Sequence, residues 1–185
     1  MEWTLTYTLS QIFVIMMYIF LGTTYFVENR KTVLVLNFLS LVSSGVAYIF
    51  LGAYTGLAMV IVAIIRNIIF LLDEKKNGKR DKINKKDIVI LIVLYIISIV
   101  SAIFTYDGFF SLLSVFATML YTYSVWQKSV EAYKAIGIPT EILWLAYNIY
   151  LKSIFGIVLE AVLMIVVIAG YILEKKKLMI RKVKD

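Results

Sequence analysis

Arg66 lies in the run VIVAIIRNIIFLL, residues 60–72, and Glu160 lies in IFGIVLEAVLMIVVIAG, residues 154–170. Each is a lone formal charge within apolar residues. A guanidinium at the centre of a bilayer costs roughly 2.5–3.5 kcal/mol on an insertion scale, so something must offset it. At about 1.5 Å per residue, Arg66 lies roughly 16 Å along its helix from Thr55, and Glu160 roughly 9 Å from Ile154. The opposite signs suggest a pair, made directly or through water. It reads either as a structural ion pair tying two helices together or as part of a binding site. In the second case Arg66 attracts an anionic or polar group, and Glu160 balances it or carries a proton. Desolvation can exceed the attraction in a buried pair, which favours the binding reading.

The other polar residues inside apolar runs are Asn67, Asn148, Gln11 and Asn37. Asn148 stands beside Tyr147 and one turn from Trp144. These three read either as interhelical packing and hydrogen bonding or, with Asn67, as the lining of a pocket for a small solute. Pro139, the single proline, also has two readings. It kinks span six as a hinge, or it starts a shorter helix with Glu141 favouring the dipole there. With no histidine and no cysteine, imidazole and thiol chemistry and disulfides are absent. No cofactor or metal site is implied. No phosphate loop, paired catalytic carboxylates or positioned nucleophile is present, and one acidic residue deep in the bundle is thin equipment for an enzyme. The chain reads as a non-enzyme.

The elements that position these residues follow from composition. The 185 residues are 62% hydrophobic and 17% charged, well beyond a soluble domain. Continuous apolar runs exclude a transmembrane barrel. The expected fold is an all-α integral membrane protein with seven transmembrane helices, near 4–27, 33–51, 55–72, 88–104, 108–126, 131–151 and 154–173. Each needs about 20 residues.

The net charge of +7 flanks the apolar spans, which argues for membrane topology and against nucleic acid. Arg30 and Lys31 follow span one, seven Lys or Arg fall in 73–87, Lys128 and Lys134 lie after span five, and six follow span seven. The opposite side holds only Lys152. The positive-inside rule puts the N-terminus outside and the C-terminus in the cytoplasm. The basic link fits a solvated loop near anionic lipid.

An internal repeat is readable. Ala47-Tyr48 matches Ala146-Tyr147, Gly56 matches Gly156, and FLLDEKK at 70–76 matches YILEKKK at 171–177. The plan is a single transmembrane domain, 1–185, built as a 3+1+3 parallel repeat. The first three-helix repeat covers 4–75, the basic cytoplasmic loop 73–87, the linker helix 88–104, the second repeat 108–176 and the basic tail 177–185.

The segments YIFLGAYTGLAMVIVAIIRN, TYDGFFSLL and LWLAYNIYLKSIFGIVLEAVL resemble the bacterial inner-membrane protein YgjV family over most of residues 8–173. The matching positions include Leu51, Gly52, Tyr54 and Arg66, then Trp144, Asn148, Ser153, Gly156 and Glu160. The resemblance implies the cytoplasmic (inner) membrane and assigns no activity. In helix order the chain is also similar to SWEET sugar transporters and other PQ-loop proteins, although it has no Pro-Gln dipeptide. Shared architecture does not carry shared function. The expected function is transport of a small polar or anionic solute, with a site built from Arg66, Glu160, Asn67, Asn148, Trp144 and Tyr147 between two three-helix bundles. The alternative is a non-transporting scaffold or regulatory, partner-binding protein. The partners expected are the lipid bilayer and the solute, with no nucleic acid; a homo-oligomer is compatible with either.

Overall fold

A bilayer offers the backbone no hydrogen-bond partners, so a spanning chain must satisfy its own N–H and C=O groups, as helices do. The computed structural model describes residues 5–51, 54–77, 84–104, 106, 108–150 and 154–184. The regular elements there are helices α1 (Leu5–Thr24), α2 (Arg30–Leu51), α3 (Tyr54–Asn77), α4 (Lys85–Phe104), α5 (Ser111–Trp126), α6 (Val130–Tyr150) and α7 (Ile154–Lys184). No strand occurs among the described residues. Helices α1, α2, α4 and the stretch Gly156–Ile180 of α7 are long and apolar enough to cross a membrane. Helix α5, with 16 residues, is about 24 Å long, short of the ~30 Å hydrocarbon core. Positions 52, 53 and 151–153, which include Gly52, Lys152 and Ser153 of the sequence reading, lie outside the described residues, as does Trp3.

The chain divides into a first unit, Met1–Gly78, and a second, Lys79–Asp185. Within the first unit α2 packs against both α1 and α3. Ser40 Oγ donates to Met17 O across α1 and α2 at 3.0 Å, and Leu34, Ala47, Val60 and Phe70 are buried. Within the second, α6 packs against α5 and α7, and α4 against α5. Ala117, Val125, Tyr133, Leu163 and Val167 are buried there. Trp126 Nε1 donates to Asp87 O at 2.9 Å and ties the end of α5 to the start of α4.

The outward faces are apolar. Helix α4 exposes Val89, Ile92, Val93, Ile96, Ile97, Ile99, Val100 and Ile103. A soluble monomer rarely exposes so large a contiguous apolar surface; lipid is the solvent that suits it.

Caps move several boundaries from their expected places. Helix α2 starts at Arg30 rather than 33, because Asn29 Oδ1 accepts Lys31 N–H at 2.9 Å and Asn29 O accepts Val33 N–H at 3.0 Å. Helix α6 starts at Val130 in the same way: Ser129 Oγ accepts Ala132 N–H at 3.2 Å, and Ser129 O accepts Tyr133 N–H. Asn29→Ala and Ser129→Ala are each expected to cost about 1 kcal/mol, measured as a lower midpoint of thermal unfolding in detergent. Gly108 has φ 85°, a left-handed turn that leads into α5 through Ser111 N–H to Gly108 O.

Three expectations change. Helix α6 runs unbroken from Val130 to Tyr150 with Pro139 inside it. Span six therefore does not begin at Pro139, and Glu141 is not at a helix N-terminus. The Ser129 cap fixes the start two turns earlier. The basic link expected over 73–87 is narrower, since α3 continues to Asn77 and α4 begins at Lys85; residues 78–83 lie outside the described residues. The tail expected over 177–185 continues α7 to Lys184, because Lys, Leu, Met and Arg are good helix formers.

Candidate functional site

In each unit the last two helices, α2 and α3 in the first and α6 and α7 in the second, form an antiparallel hairpin closed by an ion pair at one end. Arg30 Nε on α2 meets Glu74 Oε2 on α3 at 3.1 Å. Lys134 Nζ on α6 meets Glu174 Oε2 on α7 at 2.7 Å. These pairs fix the register along the hairpins. Seven residues are two helical turns, about 10.5 Å, so stepping by seven stays on one face. From Arg30 the steps reach Asn37 and Ser44; from Glu74, running back, they reach Asn67 and Val60. A methyl built on Gly45 would meet Val60 Cγ1 at 3.5 Å, which agrees with this register. Asn37 and Asn67 therefore stand at one level, near the middle of the first hairpin.

The second hairpin has the same construction. From Lys134 the steps reach Glu141 and Asn148; from Glu174 they reach Val167 and Glu160. Asn148 and Glu160 thus share a level about 21 Å from the ion pair, with Glu141 and Val167 between. Except for Asn148 and the two residues of the Arg30–Glu74 pair, which lie close to the limit, the residues in these four rows are buried.

The residues expected from the sequence fall into this frame as follows. Arg66 is 5% exposed and Asn67 is 0% exposed, so neither faces lipid. Arg66 lies eight residues, about 12 Å, from Glu74. Neither the amide nitrogen nor the amide oxygen of Asn67 has a hydrogen-bond partner. A buried polar group left without a partner costs about 1–3 kcal/mol, a burden a purely structural position has no reason to carry. In the second unit Glu160 is 7% exposed. Trp144, Tyr147 and Asn148 are half-buried. Asn148 Nδ2 donates to Trp144 O at 3.0 Å within its own helix, which uses part of its capacity. Trp144 and Tyr147 meet edge to face with centroids 6.1 Å apart. Pro139 is on the exposed face of α6, away from the Lys134–Glu141–Asn148 row. Arg66 and Asn67 belong to the first unit; Glu160, Asn148, Trp144 and Tyr147 belong to the second.

The sequence reading named Glu141 only as a charge at a helix start, whereas it is 3% exposed in the middle of α6. Glu160 is thus not the single acidic residue deep in the bundle. It also counted Lys134 only as a flanking charge, whereas Lys134 is 1% exposed and paired. The available signal was the seven-residue spacing of Lys134, Glu141 and Asn148, and of Arg30 and Asn37. Among the described residues no group of three or more acidic side chains gathers as a metal site. The arrangement offers a buried cation beside a buried carboxamide in one unit, and buried carboxyls with an aromatic edge in the other. It suits non-covalent recognition of a polar solute.

No curated protein and no solved structure matches the chain. A likeness to SWEET or PQ-loop proteins is not shown. The family model Imp-YgjV, described as bacterial inner membrane protein, matches residues 8–177. The chain belongs to this family and is a protein of the bacterial inner membrane.

Proposed function

We propose that this Imp-YgjV family protein transports a small polar or anionic solute, which Arg66 and Asn67 of the first unit recognise. In this reading Arg66 attracts the solute's anionic or polar group. Glu160, Asn148, Trp144 and Tyr147 are the second unit's own candidates for contacting the solute. Neither a cofactor nor a chemical step is required in this reading.

The observation that carries the reading is the enclosure of Arg66 and Asn67 together at mid-helix depth. Intramembrane ionisable residues that face a protein interior commonly mark substrate or ion pathways. The proposed plan is two parallel three-helix units, α1–α3 and α5–α7, with α4 as the link, the N-terminus outside and the C-terminus in the cytoplasm. It draws support from the matched hairpins. Each unit joins a cation near the start of its second helix to a glutamate late in its third. The helix caps Asn29 and Ser129 also stand one hundred residues apart. The distribution of Lys and Arg supports the orientation.

The test is thermal unfolding of the purified protein in detergent against a library of metabolites. A ligand at about 100 times its Kd adds about 2.7 kcal/mol, a visible shift. A hit with the wild type that disappears in Arg66→Ala supports the site. No hit across the library, with Arg66→Ala much less stable than the wild type, would leave Arg66 a structural residue.

A second reading, a regulatory or partner-binding membrane protein, has one observation in its favour. Helix α7 continues past Glu174 to Lys184, and that extension carries Lys175, Lys176, Lys177, Arg181, Lys182 and Lys184. Such a basic helix suits an anionic lipid surface or an acidic partner. Under this reading uptake is absent, and trimming the extension removes the phenotype.

A further inference from the structure

Three other polar side chains of the first unit's α2 and α3 have defined hydrogen bonds. Ser40 donates to Met17 O, Ser43 to Leu39 O, and Glu74 accepts from Arg30. Asn67 differs: it is fully enclosed, and both ends of its carboxamide lack a partner. A carboxamide has two donors on nitrogen and an acceptor oxygen. A carboxylate or phosphate could take only the donors. An ammonium could take only the acceptor, and it would stand beside the cation of Arg66. The complement of both ends is a neutral group that donates and accepts at once.

On the reading that Arg66 draws in an anion, we infer that the solute carries, close to its anionic group, a hydroxyl or a primary amide that Asn67 recognises. Arg66 and Asn67 are consecutive on α3, one 1.5 Å rise and about 100° apart. The two features therefore sit near each other on the solute, as in a short carboxylic acid with the hydroxyl or amide on the neighbouring carbon. Asn37, level with Asn67 on α2, adds a second carboxamide at the same height.

The experiment titrates the purified full-length protein in detergent with matched anions by calorimetry. Lactate is compared with propionate, which lacks the hydroxyl. Oxamate is compared with pyruvate, which has a methyl in place of the amino group. In the wild type, the hydroxyl or the amide member of one pair is expected to bind at least about tenfold more tightly than its partner, and the pair that discriminates tells which group is read. Asn67→Leu is expected to abolish the difference while leaving the weaker binding, and Arg66→Gln to abolish binding of both members. Equal Kd values within both pairs, lost in Arg66→Gln, would overturn the role of Asn67 and leave the anion site standing; water would then be what fills the carboxamide's hydrogen bonds. No saturable binding of any of the four would overturn this inference and the anion site at Arg66 together. The wild-type comparison decides the point even if Asn67→Leu fails to fold.

Discussion

Lys134→Met is expected to destabilise the protein by about 3–5 kcal/mol, read as a large fall in the midpoint of thermal unfolding in detergent. The ammonium is almost wholly enclosed, and its contact with Glu174 is 2.7 Å. Replacing it by an apolar side chain of similar length keeps the packing and removes the charge. Glu174, 6% exposed, is then left as a buried carboxylate without its cation. That uncompensated charge, rather than the lost attraction, makes the effect large, because the attraction itself is largely offset by desolvation. Lys134→Met combined with Glu174→Leu should recover most of the loss, since no buried charge remains. A double variant as unstable as the single one would show that shape, not charge, governs the α6–α7 contact. Arg30→Met should cost less than Lys134→Met, because the Arg30–Glu74 pair is more exposed and water screens it better.

Arg66→Ala is expected to lower solute affinity and uptake roughly a hundredfold, since truncating one member of a buried charged contact costs about 2–5 kcal/mol. The same change should not impair membrane insertion. Removing a guanidinium from the middle of α3 relieves an insertion cost of about 2.5–3.5 kcal/mol. The combination separates a binding residue from a structural one: inserted protein in normal amount, with binding lost, is the expected pattern. Normal uptake by an inserted Arg66→Ala protein would remove Arg66 from the site. Arg66→Lys adds resolution. Lysine keeps the charge but loses the planar fork that grips a carboxylate with two hydrogen bonds, so partial recovery of binding is the expected result.

The helices were legible because lipid demands long apolar runs, and those runs can be counted in a one-dimensional string. Their ends were less so. Asn29 and Ser129 decide where α2 and α6 begin, and a cap acts through one or two hydrogen bonds that periodicity does not register. Pro139 illustrates the same point. A proline can start a helix or interrupt one; the span read over 131–151 held Pro139 inside it, and the Ser129 cap decides for that reading, with nine residues of α6 before the proline.

Of the candidate site, Arg66, Asn67 and Glu160 could be named from the sequence, because a polar residue inside an apolar run is conspicuous by composition. All three are buried. The buried places of Glu141 and Lys134 were overlooked for the opposite reason. Span six already carries Glu131, Pro139 and Asn148, and among many polar residues no single one stands out. Separating the buried row 134–141–148 from the exposed Pro139 required the partner helix, because burial is a property of two surfaces.

The sequence by itself determined the solvent of this protein, its helical class, the approximate place of each helix and the residues whose charge lipid would not tolerate. Those follow from transfer free energies that each residue carries wherever it is placed. The tertiary structure decided which polar residues face one another within each unit, that Lys134 and Arg30 are partnered, and that Asn67 is enclosed without a hydrogen bond. These depend on the register between antiparallel helices. A seven-residue pattern on one helix has meaning only once the facing helix supplies the level at which each residue is met.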